Sequence, residues 1–437
     1  MSERAARRRA RRAAQFAASA RPQSASAQAL ACTRTHSLTR SLALLAHRAA
    51  RPQSIAARSF FYYAWKLVST LAILGVAAFV TMQPGAGFWQ KMAGALLVSL
   101  FWQQCGWLAH DFAHHQVFAD RRWNDAGVLF VGNFLQAFSL EWWKNKHNTH
   151  HAIPNLHESQ AEAHDGDPDI DTLPFLAWSQ RFVEKTKAGG AAASPTARFF
   201  VRNQALLYFP VLFFARITWA LSSIAYAFSL DVSLFGSEAE IVKGVQAKLA
   251  AAKATGGAAP VAAGGSAAPA AAIAVGSAGA LRYPFWERVL LAGHYAWYLY
   301  LAFGPHNSLP AALAFFFVSQ TFAGLLLAVA FGVGHNGMTV YDADARPGFA
   351  ELQITTTRNV HDSWGNGWFM GGLHFQVEHH LFPFVPRHNL YKLRPVVEAM
   401  CKKHGVRYHA TGLWQGNAEV LGSLDRIAQG LREFPGI

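Results

Sequence analysis

Residues 88–115, FWQKMAGALLVSLFWQQCGWLAHDFAHH, join an apolar stretch to a histidine cluster without a break. Phe88 to Ala109 carries a single charge, Lys91, and reaches the roughly 20 residues that a helix needs to cross a bilayer. A globular helix of that length would alternate a wet and a dry face; this one does not. Immediately upstream, Trp65–Met82 (WKLVSTLAILGVAAFVTM) is a second such stretch, separated from the first by QPGAG. The short turn makes a helical hairpin that returns Arg58 and His110 to one side of the membrane. A second pair, Val289–Phe303 and Leu309–Gly334, is joined by GPHNSL. The expected fold is therefore an all-α polytopic membrane protein with four transmembrane helices in two hairpins. Interfacial helices and a cytosolic, histidine-rich cap for two metals complete it.

Composition agrees. Of 437 residues, 52% are hydrophobic and only 15% charged, against about 25% for a soluble globular chain. Thirty-three Phe, 14 Trp and 11 Tyr exclude general disorder. Three distant cysteines supply neither a disulfide framework nor a zinc ribbon. The net charge of +14 is concentrated in residues 1–58, where 12 Arg face one acid, Glu3. This Arg/Ala/Ser-rich tail reads as a targeting segment or as a basic tail on anionic head groups, and gives no ground for nucleic-acid binding. Residues 59–437 are expected to form the membrane domain, interrupted by a low-complexity Ala/Gly loop at 243–281. Gln204–Leu230 is long enough to span, but Arg216 at its middle is costly in hydrocarbon, so it is expected in the interface or against the bundle.

Outward from His110 the pattern repeats. HDFAHH (110–115), HNTHH (147–151) and QVEHH (376–380) follow apolar segments, and His335 in GHNG closes the last span. At about 100° per residue, positions i, i+3 and i+4 share a helix face. His110 and His114 therefore stack one turn apart; His147, His150 and His151 share a face; Gln376, His379 and His380 repeat that offset. Imidazole is the commonest protein ligand of late first-row metals. His110, His114, His147, His150, His151, His335, His379 and His380 are more nitrogens than one tetrahedral ion needs and suffice for two ions. His115 and Gln376, inside the boxes, are further candidates for the metal site or its support, and Asp111 and Glu378 are expected to orient neighbouring rings. The acidic run DGDPDIDT (165–172) reads as a turn, and Trp142 and Trp143 as interface anchors. Lys and Arg in the loop at 141–202 put the clusters on the cytosolic side. A histidine-rich membrane metal transporter is the alternative from another class, which would line a mid-span path with ionisable groups.

The three boxes, with GWLAHDFAHHQVF, EWWKNKHNTHHAIPNLH and FQVEHHLFPFVPRHNL around them, resemble the membrane fatty acid desaturases. Gln376 at the head of the third box is similar to the front-end group, and the surroundings look most like algal and stramenopile delta-6 acyl desaturases. The resemblance implies two iron ions on the eight histidines, O2 as oxidant and a cis double bond placed in an acyl-CoA or glycerolipid chain. Delta-5, delta-8 and sphingolipid desaturation, or fatty acyl hydroxylation, stay open as alternatives. The group's usual haem motif, His-Pro-Gly-Gly, does not occur in this chain, so a separate cytochrome b5 or ferredoxin is the expected electron donor. The endoplasmic reticulum is the expected membrane, with the plastid as the alternative suggested by the N-terminus.

Overall fold

The computed structural model describes residues 58–158, 166–188, 194–230, 281–304, 308–345 and 347–433, and Ser37 alone. Almost all of the basic tail and of the Ala/Gly loop thus lies outside the described residues. Two long helices, α1 (Phe60–Met82) and α2 (Phe88–Ala113), pack as the expected hairpin. α1 begins at Ser59, whose hydroxyl accepts from the Tyr62 amide. It turns Phe61, Trp65, Val68 and Phe79 outward, as an outer helix facing lipid must. α2 is instead largely buried.

After α2 come α3 (Arg121–Val128), a π-helix (Leu129–Gln136) and α4 (Leu140–Ala152), the helix of the second box. α5 (Gln204–Leu212) and α6 (Ala215–Phe228) are the two halves of the Arg216 segment, bent by 57°. Pro210 lies one turn before the break, where a missing amide weakens the helix. Gly324 lets the broken backbone approach closely: a Cβ there would stand 2.3 Å from the Phe213 carbonyl oxygen. Arg216 is fully buried, its guanidinium 3.6 Å above the Trp102 ring, so this segment packs against the bundle as expected.

α7 (Pro284–Phe303) and α8 (Leu309–His335) form the second hairpin. Ser99 on α2 donates to the Ser319 carbonyl on α8 at 2.8 Å, and Ser319 also meets Tyr298 of α7 at 2.7 Å. Such hydroxyl ties suit helices that share an apolar surrounding. By length and composition α1, α2 and α8 qualify as membrane spans, and the bent α5–α6 pair could make a fourth. α7 was expected among them but does not qualify; Glu287, Arg288 and His294 lower the hydropathy of a 20-residue helix.

Beyond α8 the chain builds a cap over the ends of α2 and α8. It contains α9 (Gln376–Leu381), with the third box, α10 (Arg394–His404) and α11 (Leu413–Arg432). Two short parallel strands, β1 (Asn359–Val360) and β2 (Ala410–Thr411), tie it together. Asn359 extends from β1 to fix α9: its Oδ1 accepts from the Val377 amide at 2.8 Å and its Nδ2 donates to Glu378 at 2.7 Å.

Candidate metal centre

Each box sits at a helix end that the sequence specifies locally. His110 is in the last turn of α2 and His114 is its C-cap. His115 follows with φ +58°. The amides of His115 and Gln116 return to the carbonyls of Phe112 and Asp111, closing a Schellman turn. The third histidine of HDFAHH is thus a helix terminator and joins neither ligand group. A left-handed non-glycine residue costs about 1–2 kcal/mol. His115→Gly is expected to hold as much metal as the unmodified chain and to unfold within about 1 kcal/mol of it, the relief of strain offsetting glycine's backbone entropy. Metal analysis and a denaturant titration decide this, and loss of metal would restore His115 to the ligand set.

The eight remaining histidines converge in two groups. His110, His114, His147, His151 and His379 form one; His150, His335 and His380 form the other, with the candidate ligand atoms in each within 4.8 Å of one another. The His151 and His380 rings, stacked at 4.1 Å, join the groups. In the first group Nε2 atoms face one another: His147 to His114 at 2.9 Å, His151 to His147 at 3.0 Å and His379 to His151 at 3.1 Å. Two nitrogens each about 2.1 Å from one ion and at right angles about it stand about 3 Å apart, so this spacing fits ligation of one cation.

The second group shows why its nitrogens point inward. His335 Nδ1 lies 3.1 Å from the Thr356 carbonyl oxygen, which only accepts, so Nδ1 carries the proton. Gln353 donates from Nε2 to the His151 carbonyl at 2.9 Å, leaving its Oε1 to accept from His380 Nδ1 at 2.9 Å. His150 Nδ1 donates to Asp167, 3.0 and 3.1 Å from its two oxygens. All three Nε2 atoms therefore turn toward one another, those of His335 and His380 as lone pairs and that of His150 once it gives up its proton. His380 Nε2, like His110 Nε2 in the first group, is buried without a hydrogen-bond partner. A buried set of unpaired acceptors is unfavourable until a cation satisfies it, and the residues present fit that role. The Gln376 amide lies 2.8 Å from His335 Nε2, and turned end for end it would present its oxygen to the same group.

Burial, reinforced by the neighbouring imidazoles, holds His114, His147, His151, His379 and His380 well below the usual imidazole range. They are neutral, as ligands must be. His150 is the exception: burial opposes its charge, but Asp167 and Asp169 outweigh it and push the imidazole up to about 9. Below that pH an ion must displace a proton from His150 Nε2. Affinity at the three-histidine group is thus expected to rise with pH up to about 9, with roughly one proton released per ion at pH 7. Titration calorimetry in two buffers of different ionisation enthalpy measures the release; equal heats in both would contradict it.

Several expectations need correction. Asp111 Oδ1 lies 3.7 Å from His110 Nδ1, too long for a hydrogen bond, while its Oδ2 pairs with Arg387 Nε at 2.8 Å and joins α2 to the cap. Glu378 accepts from Asn359 and from Tyr408 at 2.8 Å, and so holds α9 rather than a histidine. In both cases the carboxylate points off the ligand face, because it neighbours a histidine in sequence and hence lies about 100° around the helix. Trp142 is buried against Phe138 and Trp219, and Trp143 stacks on His147 at 4.1 Å, so Trp143 walls the site and Trp142 packs behind it instead of anchoring an interface. The orienting residues that sequence reasoning missed are Asp167, Gln353 and the Thr356 carbonyl. Asp167 sits in the acidic run 165–172, whose spacing signals a turn but not a partner for His150; nothing in the sequence marks the other two.

Comparison with known proteins matches the sequence that builds this site to one family. The fatty acid desaturase family pattern covers residues 86–412. An acyl-lipid (9-3)-desaturase of Physcomitrium patens is 33% identical over 382 residues, which is 86% of this chain and 60% of that protein. A delta(6)-fatty-acid desaturase of Caenorhabditis elegans is 34% identical over 370 residues, 84% of this chain and 70% of that protein. A delta(8)-fatty-acid desaturase of Euglena gracilis is 31% identical over 356 residues, 79% of this chain and 69% of that protein. The chain thus spans a little under two thirds of the moss protein's length and about 70% of the other two. With all three boxes inside the matched region and gathered into one centre, the chain belongs to the fatty acid desaturase family.

Proposed function

We propose that this protein is a front-end fatty acid desaturase that inserts a cis double bond, at the delta-6 position, into a polyunsaturated acyl chain. The observation that carries the reading is the convergence of eight imidazoles into two adjoining groups at the ends of long apolar helices. His110, His114, His147, His151 and His379 would hold one iron ion, and His150, His335 and His380 the other, with Gln376 beside the second. When bound, the metal pair supplies the O2-derived oxidising power that an unactivated C–H bond demands and that side chains lack. The chain's own residues do the rest. Asp167, Thr356 and Gln353 hold each ring with its Nε2 turned toward the metal, and Trp143 keeps water from one wall. The reading further places four spans in two hairpins, with the centre on the cytosolic side of the endoplasmic reticulum. A separate cytochrome b5 or ferredoxin delivers electrons, and acyl-CoA or glycerolipid carries the acyl chain.

The relatives include delta-6 and delta-8 enzymes at similar identity, so regioselectivity rests on the sequence around the boxes. The transporter alternative finds no support, since the clustered histidines lie at helix ends. His294, inside α7, is committed elsewhere, with Nδ1 3.1 Å from the Phe134 carbonyl oxygen. The test is expression in a host that supplies cytochrome b5, with linoleic and alpha-linolenic acids fed and new double bonds located by mass spectrometry. New unsaturation at carbon 6 supports the reading; unsaturation only at carbon 5 transfers it to that alternative, a delta-8 product being excluded because carbon 9 of both acids is already doubly bonded, and none at all overturns it.

A further inference from the structure

The helix carrying the second box starts at a carboxylate from another part of the chain. Glu287, in the first turn of α7, is fully buried. It accepts from the hydroxyl of Ser139, the N-cap of α4, and from Asn133 Nδ2 on the π-helix at 3.4 Å. The first amides of α4, Leu140 and Glu141, face the same carboxylate. Ser139 Oγ in turn accepts from the Trp142 amide at 3.2 Å, so one hydroxyl relays the contact into the helix. Glu287 Oε2 is thus bonded to a hydroxyl and a side-chain amide, its Oε1 is buried without a hydrogen-bond partner, and no cation pairs with it among the described residues. A buried carboxylate without a cation is costly unless something else offsets its charge. Here the offset is the Ser139 hydroxyl together with the positive end of the α4 dipole. The neighbouring residue, Arg288, donates from Nε to the Ala227 carbonyl at 2.8 Å and fixes the start of α7 against the end of α6.

We infer that Glu287 is a positioning residue for the metal centre, anchoring the N-terminus of α4 so that His147, His150 and His151 keep their register against α2, α8 and α9. This inference rests on the proposed metal-binding role of the eight histidines. The physical route is short. α4 has 13 residues, and its histidines occupy the last two turns. A tilt or slide released at Ser139 is carried along a rigid helix to the ligands at the other end. The same dipole whose positive end meets Glu287 turns its negative end toward the metal-binding rings, so the anchor and the ions favour one helix orientation.

The test uses the full chain in detergent, loaded with iron and challenged with excess chelator, with metal retained per chain followed in time. Glu287→Gln keeps shape and an acceptor but removes the charge; Glu287→Ala removes both; Ser139→Ala breaks the relay from the other side. Changes in residues that support metal ligands alter affinity by about 10–100-fold. Loss of iron is expected to be at least about 10-fold faster in E287A, and several-fold faster in E287Q and S139A. The metal-free E287Q protein should unfold at the temperature of the unmodified chain, a result that separates positioning from general destabilisation. If E287A does not fold, E287Q and S139A decide. Chelator loss within twofold of the unmodified chain in both overturns the inference while leaving the metal centre intact. An unmodified chain that holds no iron removes the centre, and this inference with it.

Discussion

Replacing His150 by alanine is expected to abolish new double bonds in the expression assay and to lower bound metal from about two ions per chain to about one. His150 belongs to the group with only three imidazoles, and its Nε2 lies 3.3 Å from that of His335. Without it two nitrogens remain, plus an amide that must turn to help. Changing a residue that merely supports a ligand costs about 10–100-fold in affinity or activity, so removing a ligand should cost more than about 100-fold. The five-histidine group keeps all its members and should retain its ion. The measurements are metal analysis of the purified variant and fatty acid profiling of the host. A variant that desaturates at the unmodified rate would sink the assignment of the second group.

Asp167→Asn is expected to weaken metal binding about 10–100-fold although the substituted residue touches no metal. Asp167 is buried and saturated with donors: His150 Nδ1, the Asn155 amide at 2.7 Å and the Asp169 amide at 2.9 Å. Asparagine preserves the volume but replaces one acceptor oxygen by an NH2 group, which cannot face these donors. The cheapest relief is for His150 to change tautomer, accepting at Nδ1 and carrying its proton on Nε2, where it blocks the metal. The variant should therefore show the metal deficit of His150→Ala in milder form, and excess metal should partly restore it. Asp169→Asn is the control, since Asp169 is 40% exposed on its side chain and 3.5 Å from His150. Equal deficits in the two variants would contradict the tautomer argument.

Much of this site was legible in one dimension because helix geometry is local. The offsets within HDFAHH, HNTHH and QVEHH place rings on a common face whatever the remainder of the chain does, and the apolar stretches place those helix ends near a membrane surface. The same geometry failed where a residue beside a histidine was assigned by adjacency. Asp111 and Glu378 point sideways to Arg387, Asn359 and Tyr408, and His115 serves the backbone. Arg216 was recognised as too costly for open lipid, but its solution, a guanidinium stacked on Trp102 beside a broken helix, required the partner ring to be in view.

By itself the sequence determined the helical class, the first hairpin, the eight histidines and the family. Each depends on hydrophobic length or on short-range spacing. Only the tertiary structure decided the partition of those histidines into five and three, the proton on each outward nitrogen of the second group, and the anchor at Glu287. The residues responsible lie far apart in the chain: Glu287 is 148 positions from Ser139, and Gln353 is 202 from His151. A hydrogen bond acts over about 3 Å and has no period in sequence, so such partners appear only when the fold brings them together.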